Sequence, residues 1–174
     1  LKKNTIVATV MSNLGFFKMG ERENLHMEQT KVGDRYVLER MREIGASLGG
    51  EQSGHVIFLD ENTTGDGLLS ALHLLEVMVD TGKPLSELAS VMTVMPQALV
   101  NAKVPNHKKD KYMEYPEIAK AIDELNSKFA GEGRVLIRPS GTEPKVRVMI
   151  EGKDQRMIDE EAHKLADLIQ NIML

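Results

Sequence analysis

An α/β chain of two units is predicted from these 174 residues. The first, over 1–94, is a βαβ-type domain with a mixed sheet covered by helices on both faces. The second, over 95–174, is a small α+β domain with an antiparallel sheet backed by two helices. Three observations lead there. Before position 94, short β-branched runs alternate with helical stripes, the order of a layered α/β unit. After it the order becomes strand, helix, strand, strand, helix. Pro96 breaks the apolar stretch 91–104 between them, which puts the boundary at 94–96.

Residues 6–11 are apolar and β-branched, the signature of a buried strand, and Ser12, Asn13 and Gly15 mark a turn. The charged stretch 18–28 reads as a surface helix or loop anchored by Met19, Leu25 and Met27. Asp34 is placed to cap a helix over 35–44, with Val37, Leu38, Met41 and Ile44 on one face and Gly45 as its stop. The cluster Gly49-Gly50-Glu51-Gln52-Ser53-Gly54-His55 then leads into a strand over 55–59. A glycine-rich loop at a strand edge brings carboxylate, hydroxyl and imidazole to one place. Glu51 suits two vicinal sugar hydroxyls, and His55 suits a phosphate or a proton-transfer role. Taken alone, the cluster reads first as a solvated glycine-rich turn.

The acidic stretch 60–67 lacks the spacing of a calcium loop and is expected to cap the next helix. That helix, 67–81, is expected to bury Leu68, Leu69, Leu72, Leu75 and Val79, with His73 and Met78 in packing roles and Gly82 and Pro84 closing it. A short helix over 85–92 completes the unit.

In the second unit a strand over 98–104 runs into a solvated basic loop, 104–111. Pro116 opens a helix whose Ile118, Ile122, Leu125 and Phe129 form one stripe, and Gly131 and Gly133 end it. Two alternating runs follow, joined by Arg138-Pro139-Ser140-Gly141-Thr142-Glu143-Pro144-Lys145-Val146-Arg147. With Val135, Ile137, Val146, Val148 and Ile150 in a core, period-2 alternation puts Arg134, Arg138, Arg147 and Met149 on the opposite face. A last helix over 155–171 turns Ile158, Ala162, Leu165, Leu168 and Ile169 inward.

That loop has the chemistry of an oxyanion site. Gly141 is expected at positive φ in a nest of backbone N–H groups, Ser140 and Thr142 supply hydroxyls, and Arg138 or Arg147 supplies a bidentate fork. An ordinary hairpin with two solvated arginines competes with this reading. It is not a P-loop, since it ends in a strand and lacks Gly-Lys-Ser/Thr.

Composition narrows the partners. A net charge of −4 with no long basic run argues against general affinity for nucleic acid or anionic membrane. The absence of cysteine removes disulfides and thiolate metal sites. Without a signal peptide or a spanning apolar run, the expected compartment is cytoplasmic. A start at Leu1 directly before a strand reads as a piece of a larger protein.

The stretches Gly50-Glu51-Gln52-Ser53-Gly54-His55 and Arg138-Pro139-Ser140-Gly141-Thr142-Glu143-Pro144 resemble the sugar-binding and phosphate-binding loops of the α-D-phosphohexomutases. Thr30-Lys31-Val32-Gly33-Asp34-Arg35-Tyr36 and Thr64-Gly65-Asp66-Gly67 extend the likeness through almost the whole chain. The resemblance implies the third and fourth of four domains, with a phosphosugar held in the cleft between them. The family's phosphoryl-carrying serine and its Mg²⁺ loop belong to the first two domains, so no catalytic residue and no metal ligand is expected in this piece.

By the same resemblance, a phosphoryl group passes from phosphoserine to a hexose 6-phosphate, the bisphosphate reorients, and the hexose 1-phosphate leaves. Arg138, Ser140, Gly141, Thr142 and Arg147 would clamp the distal phosphate. Glu51 and Ser53 would hold ring hydroxyls equivalent in both poses, and His55 and Arg35 would line the cleft. Gln52 and Gly141 favour an amino-sugar member over glucose or mannose members. Implied partners are the N-terminal domains of the same enzyme and a second copy in a homodimer. The contrasting reading, a sheet that binds RNA, lacks the aromatic residues on which bases stack.

Overall fold

In the computed structural model, which describes residues Leu1–Leu174, the buried run Thr5–Thr9 forms β1 at the centre of a first unit, Leu1–Val94. Its neighbours are β2 (His26–Thr30), β3 (Leu48–Gly50) and β4 (Val56–Phe58), in the order β2-β1-β3-β4. β1 runs parallel to β2 and β3, and β4 pairs antiparallel with β3. α1 (Leu14–Arg22) connects β1 to β2, and α2 (Asp34–Ile44) connects β2 to β3. Asn13 caps α1 by accepting from the Gly15 N–H.

The mixed α/β architecture is as expected, but two strands differ from the sequence reading. Stretch 18–28 is not one surface segment: it holds the end of α1, a turn with Asn24 at φ 55°, and the start of β2. β2 lies at the sheet edge and carries His26, Glu28 and Gln29, so no apolar alternation marks it. β3 is three residues long with two glycines. Gly49 is required there by close approach. A Cβ on it would sit 2.5 Å from Met41 Sδ, 2.8 Å from Val37 Cγ1 and 2.9 Å from the Val7 carbonyl oxygen. α2 therefore lies directly on the sheet, closing a core of Val7, Val37, Met41, Ala46 and Ile57. Gly33, not Asp34, is the cap residue of α2; Asp34 Oδ1 accepts from the next backbone N–H, that of Arg35, at 2.8 Å.

α3 (Gly67–Thr81) begins as predicted, with Asp66 accepting from the Leu68 and Leu69 N–H groups, and ends at Gly82 with φ 65°. Its expected burial is not found: Leu68 is 73% and Val79 80% exposed, and Leu72 and Leu75 are also exposed. It meets β4 at Phe58, whose ring lies 4.3 Å from that of His73. Glu61 and Glu76 flank that imidazole and raise its pKa, Glu61 foremost. The sheet face carrying Ile6, Ala8, Leu48 and Val56 lines an open cavity of about 420 Å³ instead of meeting α3. A helix apolar on all sides announces that it needs cover, but not which surface supplies it. α4 (Leu85–Leu88) continues into a 3₁₀ turn, Ala89–Val91.

The second unit, Met95–Leu174, is built on β5 (Gln97–Lys103), β6 (Arg134–Pro139) and β7 (Lys145–Glu151), antiparallel in the order β5-β7-β6. α5 (Pro116–Phe129) packs on β6, and α6 (Gln155–Met173) packs on β5 and β7. The predicted stripe Ile118, Ile122, Leu125 and Phe129 is buried against Ile158, Ala162, Leu165 and Ile169. Each large apolar side chain so buried contributes about 1.5–3 kcal/mol. Strand alternation also holds, since Val146, Val148 and Ile150 enter this core.

The opposite sheet face is only half open. Met149, expected there as an exposed residue, is 1% exposed, with the Gln97 amide 2.8 Å from its sulfur. Glu151 is fully buried and accepts from Arg134 Nε at 2.5 Å. Arg134 is thereby committed to an internal ion pair. The stretch 104–111 is likewise not simply solvated: Val104 is buried, Lys108 Nζ donates to the Met173 carbonyl, and a 3₁₀ helix begins at Lys109.

Candidate functional site

From β1 the chain goes to β2 on one side and later to β3 on the other, so the order reverses at β1. In open α/β sheets the crevice at the carboxyl ends of such strands is where ligands sit. Glu51 directly follows β3 at that end, and Gly33 lies in the loop that leaves β2. The two meet. Gly33, at φ 129°, donates its N–H to Glu51 Oε2 at 3.1 Å.

The β3–β4 hairpin fixes the rest of this group. Glu51 N–H donates to the His55 carbonyl at 2.9 Å and Gly54 N–H to the Glu51 carbonyl at 3.0 Å, with Gly54 at φ 100°. This turn places the Ser53 hydroxyl 2.7 Å from Glu51 Oε1 and 3.0 Å from His55 Nδ1. The hydroxyl has one hydrogen, and a carboxylate only accepts, so Ser53 donates to Glu51 and accepts from Nδ1–H of His55. In the neutral ring Nε2 then presents a lone pair, and it donates only as imidazolium. This refines the sequence reading of His55 as a phosphate donor or a proton-transfer group. The Glu51 side chain is 11% exposed and that of His55 52%. Acceptor capacity remains on the part-buried carboxylate while the imidazole faces outward.

Thr9 closes β1, and its Oγ1 is buried without a hydrogen-bond partner. No motif marked it; only the strand order shows that it ends the central strand at the reversal. Arg35 is not brought to the Glu51 group. It stands on the exposed face of α2 with Nε 2.8 Å from Glu39 Oε1, and that carboxylate raises its pKa.

In the second unit, Arg138 and Arg147 are register partners across β6 and β7. Like charges directly opposite one another destabilise a strand pair. Both Nε atoms are buried and without a partner. Burial first, and Arg147 second, lower the pKa of Arg138. The carboxylate that approaches the pair is Glu143, 3.2 Å from an Arg147 Nη2 and 2.8 Å from Lys145 Nζ. Lys145 foremost, and Arg147 after it, hold the Glu143 carboxyl below its usual range, so it is ionised at neutral pH.

The loop between the arginines is closed from inside. Ser140 is 3% exposed; its N–H donates to the Lys145 carbonyl at 2.9 Å and its Oγ accepts from Glu143 N–H at 3.2 Å. Val104 N–H donates to the Pro144 carbonyl, and Lys109 Nζ donates to the Ser140 carbonyl at 2.5 Å. Ser140 thus shapes the loop and keeps its own O–H to give, while Thr142 lies exposed at the tip. Lys109 adds a cation that sequence reasoning left in a solvated run; the basic cluster 108–111 was its signal.

Gly141 corrects an expectation. It is not among the positive-φ glycines, and a Cβ there would meet nothing within 4 Å. Nothing in the free chain requires glycine at this position. Gly141→Ala is expected to leave stability within about 0.5 kcal/mol in thermal unfolding, and to weaken phosphate binding in titration by crowding the approach to the loop.

No group of three or more His, Asp or Glu side chains is arranged to hold a metal ion. No helix is long and apolar enough to cross a membrane.

Residues 1–95 match the family described as phosphoglucomutase/phosphomannomutase, alpha/beta/alpha domain III, and residues 99–168 match the phosphoglucomutase/phosphomannomutase C-terminal domain. A phosphoglucosamine mutase of Ruminiclostridium cellulolyticum is 62% identical over 170 residues, and one of Caldanaerobacter subterraneus is 58% identical over 170. Each match covers 98% of this chain, and the chain spans 38% of the relative's length. Among solved structures, N-acetylphosphoglucosamine mutase of Aspergillus fumigatus, in complex with GlcNAc-6P and magnesium, has a TM-score of 0.80 at 21% identity. That match covers 98% of this chain and 39% of the other, and it is a likeness of fold.

Proposed function

Because the chain belongs to the phosphoglucomutase/phosphomannomutase family, we propose that it is the third and fourth domains of a phosphoglucosamine mutase, residues 1–94 and 95–174. The parent enzyme interconverts glucosamine 6-phosphate and glucosamine 1-phosphate through a phosphoserine and a bisphosphate, for amino-sugar nucleotide and cell-wall precursor synthesis. A cytoplasmic location and a homodimeric parent belong to the same reading. The observation that carries it is the opposed pair Arg138 and Arg147, with both Nε atoms buried and unpartnered beside a loop of matching sequence.

In this reading the second unit supplies the clamp for the phosphate distant from the transferring group. Arg138 and Arg147 offer N–H forks suited to a phosphate, and Ser140 and Thr142 offer hydroxyls. Charge held in fixed geometry orients the ligand without taking part in bond making. The first unit supplies the sugar clamp. Glu51, already oriented by Gly33 and Ser53, has capacity left for ring hydroxyls, and a carboxylate accepts from two neighbouring hydroxyls in either pose of a reoriented sugar. The phosphoryl-carrying serine and the metal loop lie in the parent's other domains.

The experiment is a calorimetric titration of this chain with glucosamine 6-phosphate, glucose 6-phosphate and mannose 6-phosphate, alongside an assay for glucosamine 1-phosphate. We expect weak binding, with the amino sugar preferred, and no turnover. Absence of binding to all three removes the clamp. Preference for glucose or mannose phosphate points to a sister mutase, and turnover by this chain alone overturns the placement of the nucleophile elsewhere. An RNA-binding reading has less support, because the sheet face with Arg138 and Arg147 carries no aromatic residue on β5, β6 or β7.

A further inference from the structure

Glu143 is the one carboxylate that reaches the arginine pair, and the clamp just described makes no use of it. We propose that Glu143 is a resident counter-anion which the ligand's phosphate must displace from Arg147, and that this exchange makes the loop select a dianion over singly charged anions. The proposal rests on the reading of the loop as a phosphate clamp.

The geometry gives the exchange a direction. Glu143 is held by two cations of unequal closeness: Lys145 Nζ at 2.8 Å, and an Arg147 Nη2 at 3.2 Å, longer than a strong charge-assisted bond. Its backbone is fixed by the Ser140 Oγ contact, but its side chain is 48% exposed. The carboxylate is therefore free to leave Arg147, remain on Lys145, and leave the loop unmoved. A monoanion arriving at Arg147 replaces one negative charge with another and gains little. A phosphate dianion brings a second charge, and Arg138 Nε stands across the strand pair with nothing to bond. A repulsive group that only the correct ligand outcompetes is a recognised source of specificity.

Glu143→Gln removes the charge and keeps the shape. The affinities of this chain for inorganic sulfate, a dianion across the working range, and for acetate are to be measured by chemical-shift titration at fixed ionic strength. The variant is expected to bind sulfate about fivefold more tightly than the parent chain. It should gain more for acetate, so that the sulfate-to-acetate ratio falls. Lys145→Met, which removes the carboxylate's resting place, is expected to act in the opposite direction and weaken sulfate binding. Equal or weaker sulfate binding by Glu143→Gln overturns the proposal while the clamp stands. If neither the parent chain nor the variant binds sulfate or glucosamine 6-phosphate, the clamp itself falls and the proposal with it.

Discussion

Arg138→Ala is expected to lower the affinity of the chain for glucosamine 6-phosphate by about 10- to 150-fold, with no loss of stability. The first half follows from the worth of a charged hydrogen-bonding group, about 1.5–3 kcal/mol. The second half follows from what Arg138 does in the free chain. Its Nε has no partner, and its nearest charged neighbour across the strands is another arginine. Truncation breaks no bond there and relieves a like-charge contact. Binding and stability should therefore move apart, and calorimetric titration beside urea unfolding measures both. A several-kcal/mol drop in unfolding free energy would make Arg138 a structural residue, and unchanged affinity would end its role in the clamp. Arg138→Lys keeps the charge but loses the planar fork, so it should fall between parent and Ala in affinity.

The opposed arginines were legible in the sequence because their placement depends only on strand parity and on a loop that joins adjacent antiparallel strands. The same holds for the stripes of α5 and α6, where one periodicity decides which side chains meet. What escaped depends on more than one element. β2 and β3 are strands because β1 lies between them, and neither a polar edge nor a pair of glycines declares that alone. Met149 follows the predicted parity yet is covered, since parity says which face a side chain takes and not how far that face is closed. α3 is the converse case, with a correct span and cap but an apolar surface that stays exposed.

The site shows the same division. The Glu51, Ser53 and His55 group comes from one hairpin and was visible as a run of six residues. Its bond to Gly33 spans 18 positions and needed the parallel order of β2, β1 and β3. Thr9 and Lys109 reach their places by the same kind of long-range pairing. Arg35, which the resemblance assigned to the cleft, is engaged by Glu39 one turn on through helix geometry. Proximity along the chain and proximity in space agree within a turn and part company across a sheet.

Glu51→Ala tests the longest of these links. The Glu51 carboxylate accepts from Gly33 N–H on one oxygen and from Ser53 on the other, and its side chain is 11% exposed. Removing it leaves a part-buried N–H without an acceptor and frees the hydroxyl that positions His55, a loss of about 2–3 kcal/mol at this end of the sheet. Two readouts follow. Amide exchange at Gly33 should accelerate by roughly 30- to 150-fold, the same free energy read as an opening constant. The preference of the chain for glucosamine 6-phosphate over inorganic phosphate should vanish, because the phosphate clamp is intact while the sugar clamp is not. Glu51→Gln sharpens the test. Its one carbonyl oxygen serves either Gly33 or Ser53 but not both, so exchange and sugar preference should each move part of the way. A chain in which Glu51→Ala accelerates Gly33 exchange but leaves the sugar preference untouched has no sugar clamp here, and the carboxylate is then an ordinary tie between two loops.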